Sequence, residues 1–399
     1  MDGASWRGPA IDAADDGDDA RFVDAVRAFL DRALTPDLRE AGRRTIGVHS
    51  DIAACRVWQA RLHARGWAVP AWPVDWGGTG WSARRKFLFD RELALADAPI
   101  LFAGGVRSLG PLLIEMGTPA QRDRYLGPIR RGEDLWAQGF SEPGAGSDLA
   151  SLSTRAARRG DRYHIDGTKI WTTGAHLANR MFALVRTGEG GRPQEGLTFL
   201  LIDLPAAGLT IRPIIDIAGE HELNQVFFDD VVVPVSQRVG EENDGWAVAK
   251  RLMALARSNN TPAALVRRTL ATARGLAREA GEALEPSVWR RLAGLAVELE
   301  AFEQLELACL PGARPRPGEQ VAPSMLKLIG AELRQRIAEV ACEAAGPRAA
   351  LRLHALAPGD DALEPAARAA AAYFALRAAT IYSGSSETQR NVIARALLA

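Results

Sequence analysis

The hydrophobic periodicity of this chain changes twice, and that change constrains the fold more than any other feature of the sequence. From residue 20 to about residue 131 apolar side chains recur near every 3.6 residues, as Phe22, Val26 and Phe29 do. From about 136 to 234 short runs rich in β-branched and aromatic residues replace that pattern. Helical periodicity returns after Gly245 and continues in alanine-rich segments. The sequence therefore predicts an α+β protein with an N-terminal helical domain, a middle antiparallel β domain and a C-terminal helical bundle.

The domain boundaries follow from where these patterns change. We expect an acidic, disordered leader over 1–19, a helical domain over 20–133, the β domain over 134–238 and the bundle over 239–399. Within the β domain, Asp166-Gly167 predicts a two-residue hairpin turn. No apolar run approaches the roughly 20 residues that span a bilayer, and the acidic start lacks the parts of a signal peptide. A cytoplasmic protein without membrane attachment is expected.

Charge and motif content exclude several classes of ligand. The formal net charge is zero, which gives no overall field to attract nucleic acid. The six histidines do not pair with cysteine or carboxylate at metal-ligand spacing, so no metal site is expected. Neither a phosphate-binding loop nor a strand-to-helix glycine fingerprint is present, which argues against a Rossmann-bound nicotinamide.

Two stretches in the β third carry the strongest functional signal. The run at 138–148, Gln-Gly-Phe-Ser-Glu-Pro-Gly-Ala-Gly-Ser-Asp, predicts an irregular loop whose bare amides a flat or anionic ligand can approach. Taken alone it is equally typical of a surface turn. The run at 167–174, Gly-Thr-Lys-Ile-Trp-Thr-Thr-Gly, adds an indole and a hydroxyl, although a tryptophan there also suits an ordinary core.

Four motifs in the same order and spacing resemble the acyl-CoA dehydrogenase superfamily. They are Ser-Glu-Pro-Gly-Ala-Gly-Ser-Asp at 141–148, Gly-x-Lys-x-Trp-x-Thr at 167–173, Asp-Val-x-Val-Pro at 230–234, and Ile-Tyr-Ser-Gly-Ser-Ser-Glu-Thr-Gln-Arg-Asn at 381–391. The resemblance extends over essentially the whole chain. It implies FAD as cofactor, an acyl-CoA thioester as substrate, α,β-dehydrogenation as the reaction, and an electron-transfer flavoprotein as electron acceptor.

The resemblance also assigns roles to individual positions. It implies that one group lines the flavin, namely Gln138, Phe140, Ser141, Trp171 and Thr173. A second group is implied to contact the substrate, namely Ser147, Arg257, Tyr382 and Gly384. Ser385 and Glu387 are implied to reach the FAD of a neighbouring subunit, so the chain is expected to be a homo-oligomer or a heteromer with a related chain.

The sequence departs from the family at the catalytic base. Most relatives place a glutamate between the tyrosine and glycine of the terminal motif, and some branches place it just before the arginine of the substrate pocket. This chain has Ser383 and Ala256 there. An unassisted hydroxyl is far too weak a base for the α-proton, so we expect the chain alone to bind ligand but to reduce its flavin negligibly. Reduction at ordinary rates would indicate a carboxylate that the sequence does not identify.

Three hypotheses therefore remain open. The chain is a dehydrogenase or a subunit of one, or it is a catalytically incompetent subunit that completes a partner's flavin site. A flavin oxidase or monooxygenase on the same scaffold is a third, which the terminal Tyr-x-Gly and Gln-Arg motif disfavours. The segment 283–292 lacks the Arg-x-x-Phe-Gly run that contacts FAD in many relatives. That loss resembles heteromeric bacterial branches such as the pimeloyl-CoA dehydrogenase large subunit.

Overall fold

The computed structural model describes residues 18–255, 262–311, 319–356 and 362–398. The predicted leader thus lies outside the described residues up to position 17, and so do Ala256 and Arg257. The domain boundaries proposed above remain predictions.

The N-terminal region is helical, as predicted. Its helices are α1 (Asp19–Ala33), α2 (Pro36–Arg43), α3 (Ile52–Arg65), α4 (Ala83–Leu95), α5 (Gly110–Met116) and α6 (Pro119–Arg131). The first helix begins where the Asp18 carboxylate accepts a hydrogen bond from the amide of Arg21 at 2.8 Å. Its apolar stripe, which includes Phe22 and Phe29, is buried against tryptophans of the same domain, and the Phe22 and Trp81 rings meet edge to face.

The β domain forms one sheet. Its strands are β1 (Trp136–Gly139), β2 (Arg155–Arg159), β3 (Arg162–Lys169), β4 (Arg180–Arg186), β5 (Leu197–Asp203), β6 (Leu209–Ile214), β7 (Leu223–Pro234) and β8 (Arg238–Val239). The spatial order is β6-β7-β3-β2-β4-β5-β8, with β1 also paired to β4. Most pairs are antiparallel, while β1 and the end of β2 run parallel to β4.

Both faces of this sheet are buried at its centre, which explains the continuous apolar runs of the sequence. Along β4, Met181 and Ala183 pack into the core beneath β3 and β7, whereas Phe182 and Leu184 join the core of the helical domain. Alternating side chains therefore bury both faces. One face of the sheet is thereby fixed against the N-terminal helices.

The predicted hairpin turn at Asp166-Gly167 is wrong. Both residues lie inside β3, and the β2–β3 hairpin turns earlier, between Arg159 and Arg162. The register of β3 against β7 shifts between Ile165 and Gly167, which marks a β-bulge. At Gly167 φ is +147°, and a Cβ there would lie 2.6 Å from the Thr154 hydroxyl. Gly167 is thus required for the close approach of Thr154.

The C-terminal region is a helical bundle, which together with the first two regions confirms the predicted fold class. Its helices are α7 (Gly245–Leu255), α8 (Ala263–Ala280), α9 (Pro286–Ala308), α10 (Ala322–Ala345), α11 (Glu364–Ala375) and α12 (Ser386–Leu398). The long helices α8, α9 and α10 share an apolar core that includes Leu270, Leu299 and Ile337. None of the helices in the described part of the chain combines the length and apolar character that a bilayer crossing requires.

Candidate functional site

A buried lysine joins the two informative stretches of the β domain. The Lys169 side chain is fully buried, and its Nζ donates to the Phe140 carbonyl at 3.1 Å, to Glu142 Oε1 at 2.8 Å and to the Leu184 carbonyl at 2.7 Å. The amide of Ile170 donates to the Ser141 carbonyl at 2.9 Å. Phe140 and Ser141 therefore lie directly beside the segment that carries Trp171 and Thr173, although the runs are about 30 residues apart in sequence.

The Lys169–Glu142 pair also fixes the glycine-rich loop. Burial alone would raise the pKa of Glu142, but the Lys169 charge and hydrogen bonds from Ser153 and Thr154 lower it overall. Burial lowers the pKa of Lys169, an effect that Glu142 opposes. The loop beyond this anchor is open, since a Cβ added at Gly144 or Gly146 would meet nothing within 4 Å.

Trp171 lies at the strained end of this arrangement. Its φ is +59°, a conformation that costs a non-glycine residue about 1–3 kcal/mol, and its side chain is 56% exposed. The neighbouring Thr172 is buried, and its hydroxyl lacks a hydrogen-bond partner within the described ranges. A strained, exposed indole is expected at a ligand site rather than in a core. The core interpretation of Trp171 therefore does not hold.

The side chain of Asn224 also holds the segment around Trp171. This side chain is fully buried, and its Nδ2 lies 3.0 Å from the Thr172 carbonyl and 3.1 Å from His176 Nδ1. Its Oδ1 lies 2.8 Å from His221 Nε2, and the two imidazole rings stack 3.7 Å apart. Within the described ranges these histidines belong to no group of three or more potential metal ligands. Sequence reasoning missed this cluster.

The terminal motif forms a second strained loop. Ser383 has φ of +56° and is exposed. The side chain of Gln389 donates to the carbonyls of Ser383 and Gly384 at 3.1 and 3.3 Å, and Lys327 Nζ donates to Gly384 at 2.7 Å. The hydroxyl of Ser385 accepts a hydrogen bond from the amide of Thr388 at the start of α12. The loop is thus fixed through its carbonyl groups.

The remaining predicted site residues are placed as follows. Gln138 on β1 and Ser147 in the open loop are both exposed. Tyr382 is partly buried, and Glu387 is exposed in the first turn of α12. Arg257 lies outside the described residues. The structure thus joins most of the predicted cofactor residues in the β domain. Apart from Ser147, the other predicted residues that it describes lie in the segment 382–387, which includes the start of α12.

Models of all three domains of one enzyme family match the chain in order. The N-terminal domain of acyl-CoA dehydrogenase matches residues 17–133, the middle domain matches 137–231 and the C-terminal domain matches 243–398. Acyl-CoA dehydrogenase IpdE1 of Mycobacterium tuberculosis is 38% identical over 358 residues, which cover 88% of this chain and 89% of the relative.

Two solved structures share the fold over nearly the full length. The Tcur3481-Tcur3483 steroid ACAD superposes with a TM-score of 0.80 at 27% identity, covering 97% of this chain and 99% of that one. The ChsE4-ChsE5 complex of Mycobacterium tuberculosis superposes with a TM-score of 0.79 at 29% identity, covering 95% of this chain and 96% of that one. The chain belongs to the acyl-CoA dehydrogenase family.

Proposed function

We propose that this protein is an FAD-dependent acyl-CoA dehydrogenase, or a subunit of one, that forms a 2,3-enoyl-CoA and passes its electrons to an electron-transfer flavoprotein. The observation that carries the proposal is the exposed, strained Trp171 beside the anchored loop of Phe140 and Ser141. An indole face next to a polar loop fits a flat aromatic cofactor. Bound FAD would supply the hydride acceptor for the reaction.

The residues of this chain suit the other tasks of such a site. Ser141 and Thr173 offer hydroxyls that can stabilise negative charge on a reduced ring without introducing a titrating group. Phe140 and Trp171 would exclude water from the reduced ring. We assign Gln138 to the same flavin surface, and Ser385 and Glu387 to the FAD of a neighbouring subunit.

Coenzyme A would lie against the open loop that carries Ser147. Beside this loop is a surface cleft of about 530 Å³ lined by Arg155, Arg186 and Arg192. Within the described ranges the guanidinium of Arg186 donates to the backbone carbonyls of Ala150, Leu152, Pro193 and Glu195 and pairs with no carboxylate. These bonds engage four of its five N–H groups, so Arg186 would attract an anion through its positive charge rather than through a pair of hydrogen bonds. We assign Arg257, Tyr382 and Gly384 to the acyl end of the substrate.

A second candidate function is that of a non-catalytic subunit that completes a partner's flavin site. Ser383 supports it, because the hydroxyl at this position cannot remove an α-proton. Both solved structures named above come from assemblies of two differently named chains. In either case the amide of Ser383 can still polarise a thioester carbonyl. Binding of acyl-CoA therefore does not distinguish the two functions, whereas flavin reduction by the chain's own site does.

The test of the cofactor assignment is a flavin spectrum of the purified protein, together with any related chain that co-purifies. Trp171→Ala should weaken FAD retention while the circular dichroism spectrum stays unchanged. Trp289→Ala is the matched control, because Trp289 is also exposed, at 39%, but lies on α9. Colourless protein that takes up no added FAD, even in complex, would refute the proposal.

A further inference from the structure

Glu222 lies directly across from the segment that carries Trp171. Its backbone carbonyl accepts a hydrogen bond from the amide of Gly174 at 2.8 Å, and two residues later the Asn224 carbonyl accepts one from Thr172 at 3.0 Å. The strand β7 begins at the next residue, Leu223. Regular backbone pairing therefore fixes the main chain of Glu222 beside the proposed flavin surface.

The Glu222 side chain projects to a loop of the N-terminal domain. The amide of Val48 donates to its Oε1 at 2.6 Å. A Cβ added at the neighbouring Gly47 would lie 2.1 Å from that same oxygen. The loop is thus shaped around the carboxylate. Within the described ranges no lysine or arginine pairs with Glu222, and no hydrogen-bond donor there meets its Oε2.

The terminal motif approaches the same carboxylate from the third domain. Burial raises the pKa of the Tyr382 phenol, Arg334 lowers it, and the charge of Glu222 raises it further. The third domain also packs against the segments on both sides of this contact, since Ile46, Ala218 and Ala371 share one buried cluster. Tyr382 immediately precedes Ser383, so the direction of this effect supports a position of Glu222 towards the loop where the base is missing.

The surroundings of Glu222 raise the pKa of its carboxyl group above the ordinary value. Burial is the main cause of its raised pKa, and Asp216 and Glu220 add to it, while the Val48 amide and His49 oppose it. A carboxylate with raised proton affinity is a stronger base, and this is how enzymes adapt a glutamate to remove weakly acidic protons.

We propose that Glu222 is the base that removes the substrate α-proton in this protein. The inference rests on the proposed function. Glu222 Oε2 takes the proton from Cα, the electrons of that C–H bond form the Cα=Cβ double bond, and the Cβ hydrogen leaves with its electron pair to oxidised FAD. The two electrons then pass singly to a flavoprotein acceptor, and the Glu222 proton returns to solvent. The thioester is oxidised and the cofactor is reduced.

The test is exchange of α-hydrogens with solvent deuterium, which reports proton removal without net oxidation. The FAD-loaded protein, in its complex if one forms, is reduced with dithionite and incubated in D₂O with butyryl-, octanoyl- or cyclohexane-1-carbonyl-CoA. Deuterium in the recovered thioester is measured by mass spectrometry. The unaltered protein should exchange at least one of these, and Glu222→Gln should slow the exchange by about 10²-fold or more. Glutamine keeps the acceptor for Val48, so folding should survive.

Matched variants separate proton removal from pocket shape. Glu282→Gln, at an exposed glutamate just after α8, should exchange at the unaltered rate. FAD content and acyl-CoA affinity should be unchanged in Glu222→Gln, and adding Ser383→Glu to that variant should restore exchange by putting a carboxylate at the usual position. Equal exchange in Glu222→Gln and the unaltered protein would overturn the inference. So would unaltered protein that binds FAD and acyl-CoA but exchanges nothing, whereas protein that binds no FAD refutes the proposed function instead.

Discussion

Removing the Lys169 ammonium tests how the flavin-side loop is held in place. Lys169→Met keeps most of the side-chain volume but removes three hydrogen bonds, to Phe140, Glu142 and Leu184, in a site with no solvent exposure. The Glu142 carboxylate is then left buried without a cation, which costs about 3–5 kcal/mol in comparable pairs. Since each 1.4 kcal/mol is a factor of ten, the folded-to-unfolded equilibrium constant of this region falls by about 10²- to 10⁴-fold.

Urea unfolding measures this cost, with FAD release recorded in the same experiment. Lys250→Met is the control, because Lys250 is exposed on α7. The double variant Glu142→Gln/Lys169→Met should recover roughly 1–2 kcal/mol of the loss, since it removes the uncompensated charge. If Lys169→Met unfolds within about 1 kcal/mol of Lys250→Met, the interpretation of this pair as the anchor of the loop is wrong.

Three further outcomes are expected. The pKa of Glu142 in the folded protein lies below its ordinary value, so its contribution to stability is complete above roughly pH 4.5 and is lost as pH falls. Unaltered protein should therefore lose more stability than Glu142→Gln between about pH 5 and 3. Equal losses would contradict this. Gly47→Ala should displace the Glu222 carboxylate and slow α-hydrogen exchange, whereas Gly275→Ala, with open space around its Cβ, should not. Equal exchange in the two variants would contradict the contact between Gly47 and Glu222. Light scattering should show an oligomer, and a monomer that binds FAD tightly would refute the role of Ser385 and Glu387.

The sequence predicted those elements whose pattern is local. The buried positions of α1 follow from periodicity alone, and the short run at 181–185, with its aromatic and β-branched residues, predicts the strand β4. The turn at Asp166-Gly167 was wrong because the same dipeptide also suits a bulge, and only the approach of Thr154 in the folded sheet selects the bulge. Local sequence does not contain that information.

Glu222 could not be predicted for a related reason. Its environment is assembled from Val48, Gly174 and Tyr382, which are separated by more than 100 residues and belong to different domains. No spacing rule joins them, and the residue itself stands in an unremarkable charged run before β7. Trp171 was predicted because a family motif contains it, but its exposure and strain required the structure.

Anaerobic titration of the FAD-loaded protein with acyl-CoA tests the central claim most directly. The account predicts that at least one of butyryl-, octanoyl- and cyclohexane-1-carbonyl-CoA bleaches the flavin absorbance and is recovered as its 2,3-enoyl-CoA, with the rate decreased by about 10²-fold or more in Glu222→Gln. A flavin that stays oxidised with every thioester, in the chain alone and in any complex that co-purifies with it, would contradict the account.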